Sequence, residues 1–172
     1  MQHFPGFPGM SYEKGEKSMG KPDTASAVEK WGNAVYRLAC SQVKSRTDAD
    51  DVFQEVFLRY HRFAPSFQSE EHGKAWLLRV TINCCRTHLA APWRRCTVPL
   101  EDIYTCRAPE ESAVAEALQT LPPKDRALIH LFYFEGYPTE EIAGIMGLRP
   151  ASVRSRLTRA RQKLRLLLKE EL

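Results

Sequence analysis

A sequence of 172 residues with no apolar run long enough to span a bilayer, no phosphate-cradling or dinucleotide-binding glycine motif, no GxSxG and no HExxH gives little support to membrane insertion or to common catalytic machinery. Cysteine is sparse: Cys40, Cys84, Cys85, Cys96 and Cys106 form no CxxC pair, which argues against a zinc ribbon or a disulfide scaffold. Cys84 and Cys85 are neighbours in an expected helix and read as small buried hydrophobes. The five histidines are scattered, none at metal-ligand spacing from a cysteine or another histidine. No catalytic residue, metal or cofactor is expected. Glycine is scarce after the first 25 residues, which hold four of the nine, together with three prolines and a repeated FPG at Phe4 and Phe7. That segment is expected to be disordered and resembles neither a signal peptide nor a transmembrane span.

Acid is missing where base is dense. Arg149 to Arg165, RPASVRSRLTRARQKLR, holds seven Arg or Lys in seventeen residues and no Asp or Glu. Lys74 to Arg95 is also acid-free and carries five more cations. Of the 25 basic residues, thirteen therefore remain to face all 21 acids, so everything outside the two stretches nets −8 while the whole chain nets +4. Two cationic faces on an otherwise acidic protein can each release counterions from phosphates.

In the first of these stretches Val153, Leu157, Ala160, Leu164 and Leu167 recur at steps of four and three, which predicts a helix with one inward stripe and an arginine-rich outer arc. Such a helix suits DNA, a membrane surface or an acidic protein groove. Just upstream, TEEIAGIMGL at Thr139 to Leu148 reads as a short helix, with Pro138 before it, Glu140 and Glu141 in its first turn and Gly147 ending it. Ala143 permits close helix approach, Gly147 the left-handed turn and Val153 an inward anchor, which is helix-turn-helix spacing. An ordinary helical hairpin shares that spacing but leaves the charged face unexplained.

A second domain precedes this one. Trp31, Val35, Leu38 and Ala39 make an amphipathic helix to about Lys44. Thr47 is expected to cap the next helix, with Asp50 reciprocating. On it Val52, Phe53, Val56, Phe57, Tyr60 and Phe63 form the core face, while Asp51, Gln54, Glu55 and Arg59 project together on the other side. By residue chemistry alone that polar face is a solvated one. Between the domains, Arg94 to Glu111 carries Pro99 and Pro109 without helical periodicity and reads as a flexible linker.

DADDVFQEVFLRYHRF, from Asp48 to Phe63, resembles the core-binding helix of bacterial sigma factors, and AWLLRVTINCCRTHL, from Ala75 to Leu89, resembles their promoter-melting segment. LPPKDRALIHLFYFEGYPTEEIAGIMGLRPASVRSRLTRARQKLR, from Leu121 to Arg165, is similar to their carboxy-terminal domain. Order, spacing and the lack of extra domains match the extracytoplasmic-function group of the sigma-70 family over roughly Ser26 to Leu168. The resemblance implies an all-α, two-domain, cytoplasmic initiation factor that is no enzyme. It implies a disordered extension to residue 25, region 2 over 26–93, a linker over 94–111 and region 4 over 112–172.

The resemblance also assigns roles. Asp51, Gln54 and Glu55, with Arg59 beside them, match positions that grip the clamp helices of the polymerase largest subunit. The polymerase flap is a second expected contact, and an anti-sigma factor is an implied partner. Trp76, Arg79, Asn83, Arg86 and Thr87 fall where the family faces the minus-10 element, with Asn83 the candidate reader of an extruded base and Arg86, Arg94 and Arg95 on phosphates. Helical spacing gives Trp76 a competing role in core packing. The usual acid near Thr87 and base near Ala90 are absent, which leaves the minus-10 preference open. On the recognition helix Arg154, Ser155, Thr158 and Arg159 match base-reading positions, and Ser152, Arg156, Arg161 and Lys163 match phosphate contacts. In the linker, Glu101 and Asp102 either mimic nucleic-acid charge inside polymerase or face solvent. Two rival functions stay open: a stand-alone DNA-binding regulator that never joins polymerase, and an interaction module for acidic protein or lipid.

Overall fold

The computed structural model describes residues 20–91 and 113–170. The expected linker, the first 19 residues, Cys96 and Cys106 lie outside them. Among the described residues every regular element is helical: α1 (Thr24–Gln42), α2 (Arg46–Phe63), α3 (Glu70–Ala90), α4 (Ala113–Gln119), α5 (Pro123–Ile129), a π-helical turn (His130–Phe134), α6 (Thr139–Met146) and α7 (Pro150–Glu170).

Local chemistry sets the helix starts. Asp23 caps α1, its carboxylate accepting from the Ala25 and Ser26 amides at 3.0 and 3.1 Å, so the helix begins two residues ahead of Ser26. Ser45, not Thr47, caps α2: its hydroxyl oxygen accepts from the Asp48 amide at 3.1 Å, and Thr47 lies inside the first turn. The expected Thr47 and Asp50 capping box is thereby corrected, and Asp50 instead accepts from the Tyr36 hydroxyl at 2.9 Å. Ser69 caps α3, ahead of Glu70 and Glu71 in its first turn, where carboxylates favour the helix dipole.

Helices α1 to α3 pack around Trp31, Val35, Val52, Val56, Tyr60, Leu77 and Cys84. Each fully buried leucine here contributes about 1.5 to 3 kcal/mol relative to an exposed one. Gly73 lets α3 approach α1, because a Cβ there would sit 2.7 Å from the Trp31 ring. The expected disorder through residue 25 is corrected at its end, because the chain ahead of α1 is pinned to this bundle: Phe67 donates its amide to the Gly20 carbonyl at 3.2 Å, and the Tyr60 hydroxyl donates to the Pro22 carbonyl at 2.9 Å. Phe63 departs from expectation. It lies at the end of α2 where the bundle has stopped, and it is 62% exposed rather than part of the core.

Helices α4 to α7 form the second group, with Leu128, Leu131, Ile142, Val153 and Leu157 buried together. Gly147 adopts φ 64°, the left-handed conformation that turns α6 into α7. This second core does not stop at its own group: Ala34 and Leu38 of α1 and Ala75 and Leu78 of α3 belong to it. The two groups thus share a continuous apolar interface. Gln42 seals one side of it. Its carbonyl accepts from Arg126 Nη2 at 3.0 Å, and its amide donates to the Pro123 carbonyl at 2.9 Å and accepts from the Ala127 amide at 3.2 Å. The Gln42 side chain thereby bridges the Pro123 carbonyl and the Ala127 amide, one turn apart on α5.

Candidate polymerase and nucleic-acid interfaces

The polar face of α2 is where the residue chemistry placed it. Asp51 and Gln54 are exposed, Glu55 and Arg59 half-buried, and Arg59 Nε donates to Glu55 Oε1 at 2.6 Å, four residues along the helix. That pair leaves Asp51 and Gln54 as the outward part of the face. At its N-terminal edge, Asp48 accepts from or pairs with His88 Nε2 at 3.0 Å, tying α2 to the end of α3. Asp48, Asp51 and His88 bring ligand atoms within 4.8 Å of one another, but the Asp48 and His88 side chains already satisfy each other. An electrostatic tie between helices accounts for the cluster.

Along α3, the residues assigned to the minus-10 element share a side. Trp76, Arg79 and Asn83 are half-buried, Arg86 and Thr87 exposed. Thr87 donates its hydroxyl to the Asn83 carbonyl at 3.0 Å, a bond within the helix that leaves the Asn83 amide group to other partners. Trp76 serves both the core and the surface: its ring lies edge-on to Tyr60 at 6.0 Å and tilted against Phe67 at 6.1 Å, and its remaining surface borders a cleft. That cleft, of about 1140 Å³, is lined on one wall by Trp76, Arg79, Asn83 and Arg86 and on the other by Asp125, Met146 and Arg156. Phe63 stands at its rim, a position that gives the exposed ring a place beside the same residues.

On α7 the arginines radiate outward. Arg154, Ser155, Thr158 and Arg159 are exposed, as are Ser152, Arg161 and Lys163, while Arg156 is half-buried. Val153, Leu157 and Ala160 are buried beneath them, so the expected stripe anchors the helix. Several cations are already oriented. Arg154 Nη1 donates to Glu140 Oε1 at 3.3 Å, Arg156 Nη1 to Asp125 Oδ1 at 3.1 Å, and Lys163 Nζ to the Thr120 carbonyl at 3.2 Å. Arg161 stacks over Phe132 at 5.0 Å and Tyr133 at 5.5 Å, turning it toward the π-helical turn. Arg159 Nε donates to the Ser155 carbonyl at 3.4 Å, and the Thr158 hydroxyl bonds back to the Arg154 carbonyl at 3.0 Å.

Burial separates the cysteines from chemistry. Desolvation pushes Cys84 up to about 11 and Cys85 up to about 12, so neither is a thiolate at neutral pH. They are the small hydrophobes that the residue pattern suggested.

The residue pattern missed Glu135. It follows the π-helical turn and precedes a glycine, which reads as a solvent-facing helix end, yet its side chain is 1% exposed. Its Oε2 accepts from Lys74 Nζ at 2.8 Å and its Oε1 from Arg37 Nη2 at 3.2 Å, with His130 Nε2 at 3.4 Å. The neighbouring His130 ring and the hydrogen bond from Lys74 outweigh burial and hold the carboxyl down to about 2.

Comparison with known proteins adds an independent line. The family model for sigma-70 region 2 matches residues 27–95, and that for sigma-70, region 4, matches residues 111–164. The chain is 34% identical over 139 residues to the ECF RNA polymerase sigma factor SigM of Mycobacterium tuberculosis, covering 78% of this chain and 71% of that protein. It is 31% identical over 157 residues to the RNA polymerase sigma-H factor of Pseudomonas aeruginosa, covering 80% and 81%. Among solved structures, the sigma factor RpoE in complex with the anti-sigma factor NepR from Bartonella quintana superposes with a TM-score of 0.71 at 25% identity, covering 84% of this chain and 96% of that one. CnrH in complex with the cytosolic domain of CnrY gives 0.66 at 28% identity, covering 87% and 89%.

Proposed function

We propose a division of labour among these surfaces from one premise: the chain belongs to the extracytoplasmic-function group of the sigma-70 family. It is a transcription initiation factor that joins core RNA polymerase and directs it to promoters. The observation that carries this reading is the coexistence, in one chain, of an outward Asp51 and Gln54 face on α2 with exposed or half-buried cations along α3 and α7. A stand-alone regulator needs the second feature and has no use for the first. Residues 26–93, with 20–25 folded against them, act as the polymerase-binding and minus-10 unit, 94–111 as a linker, and 112–172 as the minus-35 unit.

Asp51, Gln54 and Glu55, with Arg59 orienting Glu55, dock on the basic clamp helices of the largest subunit, where complementary charge favours both rate and register. The second group meets the flap. On α3, Asn83 pairs with the exposed edge of an extruded base, Arg79 and Arg86 hold flanking phosphates, and Thr87 and Trp76 frame the site. On α7, Arg154, Ser155, Thr158 and Arg159 read the minus-35 element, while Ser152, Arg156, Arg161 and Lys163 position the backbone. The protein is a cytoplasmic specificity subunit with no chemistry of its own, and an anti-sigma protein is its regulatory partner.

Run-off transcription from a random upstream library, with bacterial core polymerase in the presence and absence of the protein, tests this. Protein-dependent starts sharing two spaced elements are expected. No new starts, with duplex binding retained, would leave a stand-alone regulator. Asp51→Arg with Glu55→Arg places like charge against the clamp, which costs several kcal/mol, so co-elution with core polymerase should be lost while the helical circular dichroism stays.

A further inference from the structure

This inference rests on the promoter-opening role proposed for α3, and it concerns the residues that precede α1. Gly20 to Asp23 lie outside the unit assigned to the minus-10 element, yet they are fastened to its back. Gly20 and Phe67 form an isolated antiparallel bridge, in which the Phe67 amide donates to the Gly20 carbonyl at 3.2 Å. Two residues on, the Pro22 carbonyl accepts from the Tyr60 hydroxyl at 2.9 Å. Between them Lys21 Nζ donates to the His61 carbonyl at 2.6 Å, in the last turn of α2 where a cation is favoured, and lies 5.3 Å over the Tyr60 ring. Thr24 Oγ1, at the start of α1, adds a tie at 3.0 Å from His61 Nδ1.

Tyr60 and Phe67, the two anchors of this segment, belong to a three-ring cluster whose third member is Trp76. Tyr60 stacks on Phe67 at 6.2 Å, and the two rings meet Trp76 at 6.0 and 6.1 Å. Trp76 borders the cleft together with Asn83, which lies two helical turns along α3. Phe63 and Pro65, where α2 gives way to the connection with α3, border the same cleft. That connection, Ala64 to Ser69, holds no helical turn of its own. Rings in apolar contact can slide, because such packing has no direction, whereas hydrogen bonds to two fixed carbonyls do. Gly20 fits the bend the bridge requires. Its φ is 75°, in the left-handed region, while a Cβ there would meet nothing within 4 Å, so the backbone and not crowding calls for glycine.

We propose that Gly20 to Asp23 form a brace that positions the α2–α3 connection and Trp76 beside Asn83, and so governs promoter opening without touching DNA. Gly20, Pro22 and Tyr60 are positioning residues, and none of them lines the cleft. A site that captures an extruded base has to be held to about 0.5 Å, and the brace supplies that constraint from behind.

Gly20→Val in the full chain tests the brace. Valine disfavours φ 75° and adds no clash, so the bridge is lost while the helices keep their contacts. Exchange of the Phe67 amide, followed by nuclear magnetic resonance without polymerase, should quicken roughly tenfold or more. With core polymerase, permanganate-detected opening should fall roughly tenfold while closed-complex affinity stays nearly unchanged. Gly20→Asn, a residue that tolerates the left-handed region, should recover both readouts. Tyr60→Phe keeps all three rings, removes only the donor to Pro22, and should repeat the opening loss in milder form. A part that merely stabilised the fold would lower opening and closed-complex affinity in step. Such a parallel loss, wild-type opening in Gly20→Val, or opening in Gly20→Asn as poor as in Gly20→Val would overturn the proposal. Should Gly20→Val lose helix content by circular dichroism, Tyr60→Phe and Lys21→Met must show the opening loss or the brace is wrong. Amide exchange involves no polymerase, so an exchange contrast in a protein whose wild type yields no run-off product would remove the promoter function and leave the brace on the connection. Run-off product without that contrast would remove the brace alone.

Discussion

Helices α3 and α7 are both 21 residues long and both carry residues proposed to face nucleic acid, yet they are built differently. In α3, eight residues from Gly73 to Cys85 are buried, and the helix is wedged between two cores. In α7, full burial is confined to Val153, Leu157 and Ala160, with Arg156 and Leu164 half-buried beside them and most of the circumference open. The difference suits the two tasks proposed for these helices. A side chain that captures an extruded base must oppose stacking energy, and a backbone locked on both sides keeps the amide of Asn83 in place while it does so. A helix that lies in an intact groove needs width more than rigidity, because several outward side chains share the contact.

The comparison can be broken most forcefully at Leu78, which α3 buries in the second core with no exposed surface. Leu78→Ala should cost about 2 to 5 kcal/mol in chemical denaturation, whereas Leu166→Ala, at a position 64% exposed near the end of α7, should change stability by no more than about 0.5 kcal/mol. Equal effects would show that α3 is not the embedded helix. Next in size, Asn83→Ala should reduce promoter opening, followed by permanganate footprinting, by about 1 to 3 kcal/mol while leaving closed-complex affinity nearly unchanged. A parallel loss of both would count against base capture. For α7, Arg159→Ala should relax preference at one minus-35 base pair by about 1 to 3 kcal/mol without touching opening. Smallest is Lys163→Ala: affinity should fall evenly across sequences and the salt dependence of binding should flatten by about 0.9 in log units. A change in sequence preference there would move Lys163 from phosphate to base.

The same contrast explains what could be seen from residues alone. The α7 stripe was plain because one face is buried and the rest is charged, so helical periodicity survives in the sequence. The helix-turn-helix followed from Ala143, Gly147 and Val153 for the same reason. Packed on two sides, α3 smears that periodicity: Leu77, Val80 and Cys84 serve one core and Ala75 and Leu78 the other. Apolar residues beyond a single stripe were the signal, visible also in Leu38 next to Ala39 on α1, but a proline-bearing linker pointed to two independent bodies. Phe63 was misplaced because spacing cannot register where a bundle ends. Glu135 and Arg126 were illegible, since a charged residue is buried only by partners distant in sequence. Roles on α2 needed the family resemblance, because an acidic, solvated helix face looks the same whether or not a partner covers it.

The π-helical turn at His130–Phe134 has one more consequence. There the Glu135 amide reaches back five residues to the His130 carbonyl, at 3.1 Å, and the Tyr137 amide reaches the Leu131 carbonyl at 3.0 Å. A turn of this kind holds one residue more than an α-helical turn, and each residue added or removed rotates the downstream chain by about 100°. The exposed rings of Tyr133 and Phe134 would tolerate many replacements. Deleting either one would tighten the turn, carry Glu135 away from Lys74 and re-aim α6 and α7 together. Descendants of this gene can therefore vary the exposed letters of that segment, while buried His130 and Leu131 and its length are held.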